Sequence, residues 1–344
     1  MNHAAAETHA QRTPPVHRVV LIGCGQIGLS GHLPALLAHP RVQLVGLCDL
    51  NEGRLNEALR LCGDNQPETS DDYRKLIADT HADACVVALH PEHSVDVVID
   101  LLGRGIAVLD EKPLAVSIEQ GLRVAAAVDE SQAAYQVGFC FRYCEGVAAL
   151  KRRVASLSRP RFYEVGVYDE SLAQLDADGL AMICGILKAS STITHEGSHV
   201  IDWMSVIHGS EITAVTAHAA KTLVDWPGPN LWSVRFDYAD ASSLHLQIGW
   251  LLNDNPQSTF RVTAADGSWS CALLGEQSSQ ADRTTFDMPP LAQAWVAQLD
   301  AWLDTIDGKP PRGADVHAGI RALRATLAAE LSFAQQRMIV IDRR

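Results

Sequence analysis

No two cysteines in this sequence stand at CxxC spacing, although eight are scattered along its 344 residues. Several lie inside apolar runs such as Val45 to Leu50 and Ala84 to Leu89, which reads as buried thiols in a reducing compartment, not as a disulfide frame or a thiolate zinc site. No apolar run is long enough to cross a membrane. Residues 1–16 have neither a basic start nor an apolar stretch, so they read as a disordered leader instead of an export signal, and cytoplasm is the expected location. Positive charge is scarce: 28 Lys and Arg face 41 Asp and Glu, and the formal charge of -13 excludes a nucleic-acid backbone as an expected partner. Neither an internal repeat nor a low-complexity block is present.

What is present is a change of grammar midway. From His17 to about Cys140, short apolar β-branched runs (Val19–Ile22, Val42–Cys48, Ala84–Ala88, Ile106–Leu109, Tyr135–Gly138) alternate with segments of helical periodicity (Ile27–Ala38, Glu52–Leu61, Ser94–Leu102, Ile118–Asp129). Strands that are apolar on both faces and alternate with helices predict a doubly wound parallel sheet. After Phe141 the strand candidates follow one another through turn signals: Phe162–Tyr168, Ile212–Ala219, Trp232–Tyr238, Ser243–Trp250, Thr259–Ala264 and Ser268–Leu273. The predicted fold is therefore α/β joined to α+β. An N-terminal Rossmann domain over 17–141 precedes a C-terminal domain over 142–344 built on a largely antiparallel open sheet.

Gly23-Cys24-Gly25-Gln26-Ile27-Gly28 places GxGxxG directly after a buried strand and at the start of a helix. In that context the first glycine permits a tight turn, the second lets a pyrophosphate approach the backbone, and the third allows the helix to pack on the strand. Glycine-rich turns are common in purely structural roles, so the motif needs support. Asp49 supplies it, since it ends the second strand about twenty residues on, where a carboxylate accepts hydrogen bonds from adenosine ribose hydroxyls. Asp49 would repel a 2'-phosphate, favouring NAD; Arg54 leaves NADP open.

At Glu111-Lys112-Pro113 the sequence begins to resemble the Gfo/Idh/MocA family of oxidoreductases, which includes glucose-fructose oxidoreductase and inositol dehydrogenase. The resemblance runs from Val19-Val20-Leu21-Ile22-Gly23 to Asp307-Gly308-Lys309-Pro310-Pro311. It implies that Lys112 lies beside the nicotinamide and binds the reacting hydroxyl. Val137-Gly138-Phe139-Cys140-Phe141-Arg142-Tyr143 is similar to the segment joining the family's two domains, which makes Arg142 and Tyr143 either cleft-lining substrate contacts or parts of a hinge. The family's DxGxHxxD signature stands here as His195-Glu196-Gly197-Ser198-His199-Val200-Ile201-Asp202. The resemblance makes His199 the general base, with His195 in the place of the usual aspartate, where an imidazole cannot raise the basicity of His199 as a carboxylate would. His90 and His93, where the family carries a different histidine, are candidates for the nicotinamide side. The cofactor set is thus Gly23, Gly25, Gln26, Ile27, Gly28, Asp49, His90, Glu111 and Lys112; the catalytic set is Lys112, His199 and His195; and Arg142, Tyr143, His195 and His199 face substrate.

His195 to His199 also spells HExxH, the zincin signature. Thr192-Ile193-Thr194 reads as extended and Gly197 as a helix start, whereas a zincin needs both histidines in one continuous helix with a third ligand; no metal is expected. The reading is an NAD-dependent dehydrogenase acting on a secondary carbinol of a sugar, cyclitol or related polyol. Two alternatives stay open: a redox-neutral, NAD-using glycosidase or dehydratase, and a cofactor-sensing regulator without turnover. The resemblance also implies a homodimer or homotetramer.

Overall fold

A computed structural model describes residues 15–273 and 291–341. All but the last two residues of the expected leader fall outside them. The first sheet takes the strands His17–Ile22 (β1), Val42–Cys48 (β2), Glu68–Ser70 (β3), Ala84–Val87 (β4), Ala107–Asp110 (β5) and Tyr135–Val137 (β6) in the order β3-β2-β1-β4-β5-β6. Every pair is parallel. The order reverses between β1 and β4, and a ligand crevice opens at such a switch point beyond the carboxyl ends of the strands. Alternation along β1 explains why both faces are apolar. Val19 and Leu21 join a cluster with Leu33, Leu36, Leu299 and Trp302, while Val20 and Ile22 join the opposite one with Leu76, Val98 and Leu101.

Helices Leu33–Ala38 (α1), Glu52–Leu61 (α2), Tyr73–Thr80 (α3), Pro91–Gly103 (α4) and Ile118–Ser131 (α5) fill the crossovers. The helix expected over Ile27–Ala38 is divided: a π-helical turn over Gly28–His32 precedes α1. Sequence periodicity gave no sign of β3 or α3, because β3 is three polar residues at the sheet edge.

Beyond a 3-10 turn over Cys140–Tyr143 come Glu145–Ala155 (α6), Phe162–Tyr168 (β7), Ala177–Ala189 (α7), Thr192–His195 (α8) and Gly197–His208 (α9). Strands Ile212–Ala220 (β8), Leu231–Tyr238 (β9), Ser243–Gly249 (β10), Thr259–Ala264 (β11) and Gly267–Ala272 (β12) follow. The chain continues through Leu291–Ile306 (α10) and Val316–Gln335 (α11) to Ile339–Val340 (β13). The second sheet runs β12-β11-β7-β10-β9-β8-β13, antiparallel except where β7 and β10 pair in parallel. Val234, Phe236, Leu244 and Leu246 point into its core, and α9 and α11 lie over that face. The other face presents Glu164, Arg235, His245 and Arg261.

α7 falls in a stretch that reads as polar and glycine-containing. Asp176 caps it by accepting from the Gly179 amide at 2.8 Å, and its Ile183 and Leu187 pack on Trp250 and Leu251. The C-terminal part of the chain returns to the first sheet. Leu299, Trp302 and Leu303 of α10 sit in that sheet's core, and Arg41 reaches Asp304 at 2.9 Å and Asp307 at 2.6 Å. A single cut after residue 141 therefore does not describe the packing.

Candidate active site

The glycine turn is built as a cradle. Gly23 has φ +97, and a Cβ there would overlap the Ala88 carbonyl; a Cβ on Gly28 would overlap the carbonyl of Gly23. These two glycines close the turn on itself. Gly25 differs, because an added Cβ would meet nothing within 4 Å, so space lies open above this backbone where a pyrophosphate needs to approach. Gln26 and Ile27 are exposed beside it. Asp49 spans the edge of the cradle: one carboxylate oxygen accepts from the Cys24 amide at 2.8 Å and the other from the Asn51 amide at 2.8 Å. The residues present fit a dinucleotide.

Next to β1 across the switch point, the ends of β4, β5 and β6 are stitched together. The Glu111 amide donates to the Val87 carbonyl at 2.9 Å and the Gly138 amide to the Asp110 carbonyl at 2.6 Å. Glu111 is buried. One oxygen meets His32 Nε2 at 2.9 Å and the other accepts from the Lys112 amide at 3.1 Å. A Cβ at Gly138 would press to 2.6 Å from this carboxylate, so only glycine fits there. Glu111 was expected to touch the cofactor; it is instead occupied in fixing the loop that carries Lys112. Trp295 of α10 packs edge-on against His32, ring centroids 4.6 Å apart, and backs this pair.

Lys112 reaches the second domain, its Nζ donating to the His195 carbonyl at 3.3 Å. A break in helical bonding makes that carbonyl accessible. The His199 amide bonds the Glu196 carbonyl at 3.1 Å, and the Ser198 hydroxyl donates to the His195 carbonyl at 3.1 Å. Thr192–Thr194 is helical, contrary to the expectation of an extended segment, because Ser191 caps α8 by accepting from the Thr194 amide at 3.1 Å.

His195 and His199 both bring an unpartnered Nδ1 to the site. The His195 ring meets Trp250 edge-on at 5.4 Å and the His199 ring meets Phe141 at 4.6 Å. Burial, then Lys112, pushes the proton affinity of each imidazole well below the usual range, and each is neutral at pH 7. Glu196 moves the other way. Burial, partly opposed by Lys112 and reinforced by Asp169 and Glu170, pushes its carboxyl up to about 7. Glu196 and His199 share a small cavity of about 40 Å³ with Phe141, Val147, Val167 and Trp203. His90 caps α4 and is electrostatically coupled to His195, its own pKa lowered by burial.

Two expected substrate contacts lie elsewhere. Arg142 is committed to Asp202, its Nε donating at 3.0 Å and its Nη2 to the second oxygen, so the guanidinium is spent on a buried pair and is not free for substrate. Tyr143 lies among Arg142, Asp202 and Arg312, and burial raises its phenol pKa. Among the described residues no three His, Cys, Asp or Glu side chains are grouped to hold a metal ion. The sequence reading gave no role to Asp169, Glu170, Trp250 or His32, and none sits in a recognisable spacing.

Residues 17–139 match the profile of an oxidoreductase family with an NAD-binding Rossmann fold. Inositol 2-dehydrogenase 2 of Paenarthrobacter aurescens (strain TC1) is 26% identical over 329 residues, covering 89% of this chain and 92% of that protein. The NAD(+)-dependent scyllo-inositol 2-dehydrogenase of Bacillus subtilis (strain 168) is 25% identical over 207 residues, 58% of this chain and 56% of its own length. The crystal structure of myo-inositol dehydrogenase from Lactobacillus casei in complex with NAD(H) and myo-inositol superposes with a TM-score of 0.77 at 19% identity, covering 96% of this chain and 98% of that one.

Proposed function

The chain belongs to the Gfo/Idh/MocA family of NAD-binding oxidoreductases, and from that premise we propose that it acts on a secondary carbinol of a sugar, cyclitol or related polyol. When bound, NAD supplies the hydride acceptor or donor. The cradle at Gly25 would hold the pyrophosphate, and Asp49 the adenosine ribose.

The observation that carries this reading is the meeting of Lys112, from the end of β5, with the His195-to-His199 segment of the second domain. An ammonium beside the reacting oxygen stabilises the negative charge that develops there as the carbon is oxidised. His199 is neutral with an unpartnered Nδ1, which is the state needed to accept a hydroxyl proton. Imidazole of lowered basicity does not keep that proton. Glu196, on the wall of the same cavity and with a carboxyl near neutrality, is suited to take it onward. A carboxylate beside His195 is not required by this arrangement, which answers the departure at the signature's first position.

Lys112→Ala tests the assignment. Turnover on a reactive polyol is expected to fall at least about a hundredfold with NADH affinity kept, since positioned charge and acid-base groups contribute on that scale. A loss of less than about tenfold contradicts the role given to Lys112.

A further inference from the structure

We propose that the polyol carries an amino group, bound as its ammonium by Glu170 and Glu196 beside Lys112. This rests on the carbinol reading above and narrows its substrate class.

Three carboxylates surround the Lys112 ammonium. Asp169 and Glu170 follow β7, while Glu196 joins α8 to α9, so the group is assembled from separate elements. All three interact electrostatically: Asp169 raises the proton affinity of Glu170 and both raise that of Glu196, while Lys112 lowers both. Glu170 is fixed in place, its carbonyl accepting from the Leu251 amide at 2.9 Å and its amide donating to Asp169 at 2.9 Å. Among the described residues the side-chain carboxylates of Glu170 and Glu196 have neither a hydrogen bond nor an ion pair. The nearby histidines give no compensating charge, because burial keeps both neutral. Lys112 and the single positive charge of an oxidised nicotinamide balance two of the three carboxylates. One negative charge is left over, and a neutral polyol does nothing to offset it. An ammonium cancels it.

Unsatisfied polar atoms independently mark the same place as a ligand site. His199, only 6% exposed, has an unpartnered Nδ1 and lines one cavity with Glu196. Trp250, 3% exposed, has an unpartnered indole N–H, and its ring meets His195. Buried polar groups of this kind call for a partner. Hydroxyls of a polyol satisfy the imidazole and indole, and the amine satisfies the carboxylates.

Calorimetric titration of the NADH-loaded protein at pH 7 compares glucosamine with glucose and N-acetylglucosamine, and an aminocyclitol with its parent cyclitol. At least one amine is expected to bind about tenfold or more tightly than its neutral counterparts, as a charge-assisted bond to a desolvated carboxylate does. Glu170→Gln and Glu196→Gln should each remove most of that preference, with NADH titration reporting that the variants are folded. Neutral polyols binding as tightly as the amines, no amine binding at all, or a preference unchanged in both variants overturns the proposal. Amine binding without reduction of NAD by any panel member keeps the amine site and sinks the dehydrogenase reading. Reduction of NAD by neutral polyols alone does the reverse.

Discussion

His32 and Glu111 share a buried hydrogen bond of 2.9 Å that ties the turn beneath the cofactor cradle to the loop presenting Lys112. The π-helical turn after Gly28 delivers His32 to this position, and a wider turn of that kind is frequent where a helix serves a site. The same carboxylate holds the Lys112 amide. Cradle and lysine are therefore one rigid unit.

His32→Leu leaves one oxygen of a buried carboxylate without its partner, at a cost of about 2 kcal/mol. A drop in melting temperature is expected. In the folded fraction turnover should fall further than NADH affinity, because the loop of Lys112 loosens while the glycines do not move. Equal losses in both would show that the pair supports only the fold.

Gly25 and Gly23 separate binding from folding. Gly25→Ala meets no protein atom, so the variant should melt like the parent yet lose NADH binding by at least about tenfold, since the added methyl occupies the pyrophosphate's approach. Gly23→Ala combines a left-handed φ with overlap on Ala88 and should destabilise by more than about 2 kcal/mol. Thermal melts with and without NADH read both effects.

Much of this was legible in the sequence. Strands β2, β7 and β11 end where their apolar patterns end, and the glycine turn and Asp49 meet as their spacing implied. Three kinds of feature were not legible. β3 and α7 carry too little periodic apolar signal to announce themselves. Arg142 looked free because its partner Asp202 is sixty residues away in sequence, and only folding shows the pair. The carboxylates of Asp169 and Glu170 gain meaning from their proximity to Lys112, which no local spacing encodes. HExxH misleads in the opposite direction, because spacing alone does not reveal that His195 packs on Trp250 and His199 on Phe141.

Glu196 gives the free enzyme a titration near neutrality. Its folded carboxyl sits at about 7 against an ordinary 4.5, so the folded state holds this proton until the pH rises through about 7. As proton acceptor in oxidation it must first lose that proton, so kcat/KM should rise with pH across this range. Glu196→Gln should remove that limb. The sign for stability follows from the same shift: the unfolded chain ionises first, so this group's contribution falls from about pH 4.5 upward and levels off above 7. A pH profile unchanged in the variant would assign the limb to another group.

Asp304 works in the other direction. Despite burial, Lys309 at 2.7 Å, Arg312 and Arg41 hold its carboxyl down at about 2, against an ordinary 3.8. A depressed carboxylate stabilises the fold fully above its unfolded value and loses that share as pH falls through the folded one. The shift corresponds to about 2 kcal/mol. Asp304→Asn should lose about that much at pH 7 and show a shallower decline between pH 4 and 2, measured by urea denaturation across the acid range.

The central claim is that NAD and a polyol carbinol react across the cleft between Lys112 and His199. Its most direct test is to titrate the protein with NADH by fluorescence, load it with NAD, and add a panel of polyols and amino-polyols while following absorbance of the reduced nicotinamide. Saturable NADH binding and new absorbance with at least one panel member is the predicted result. Saturable binding with no reduction by any carbinol would contradict the proposed reaction, and absence of binding would contradict the cradle itself.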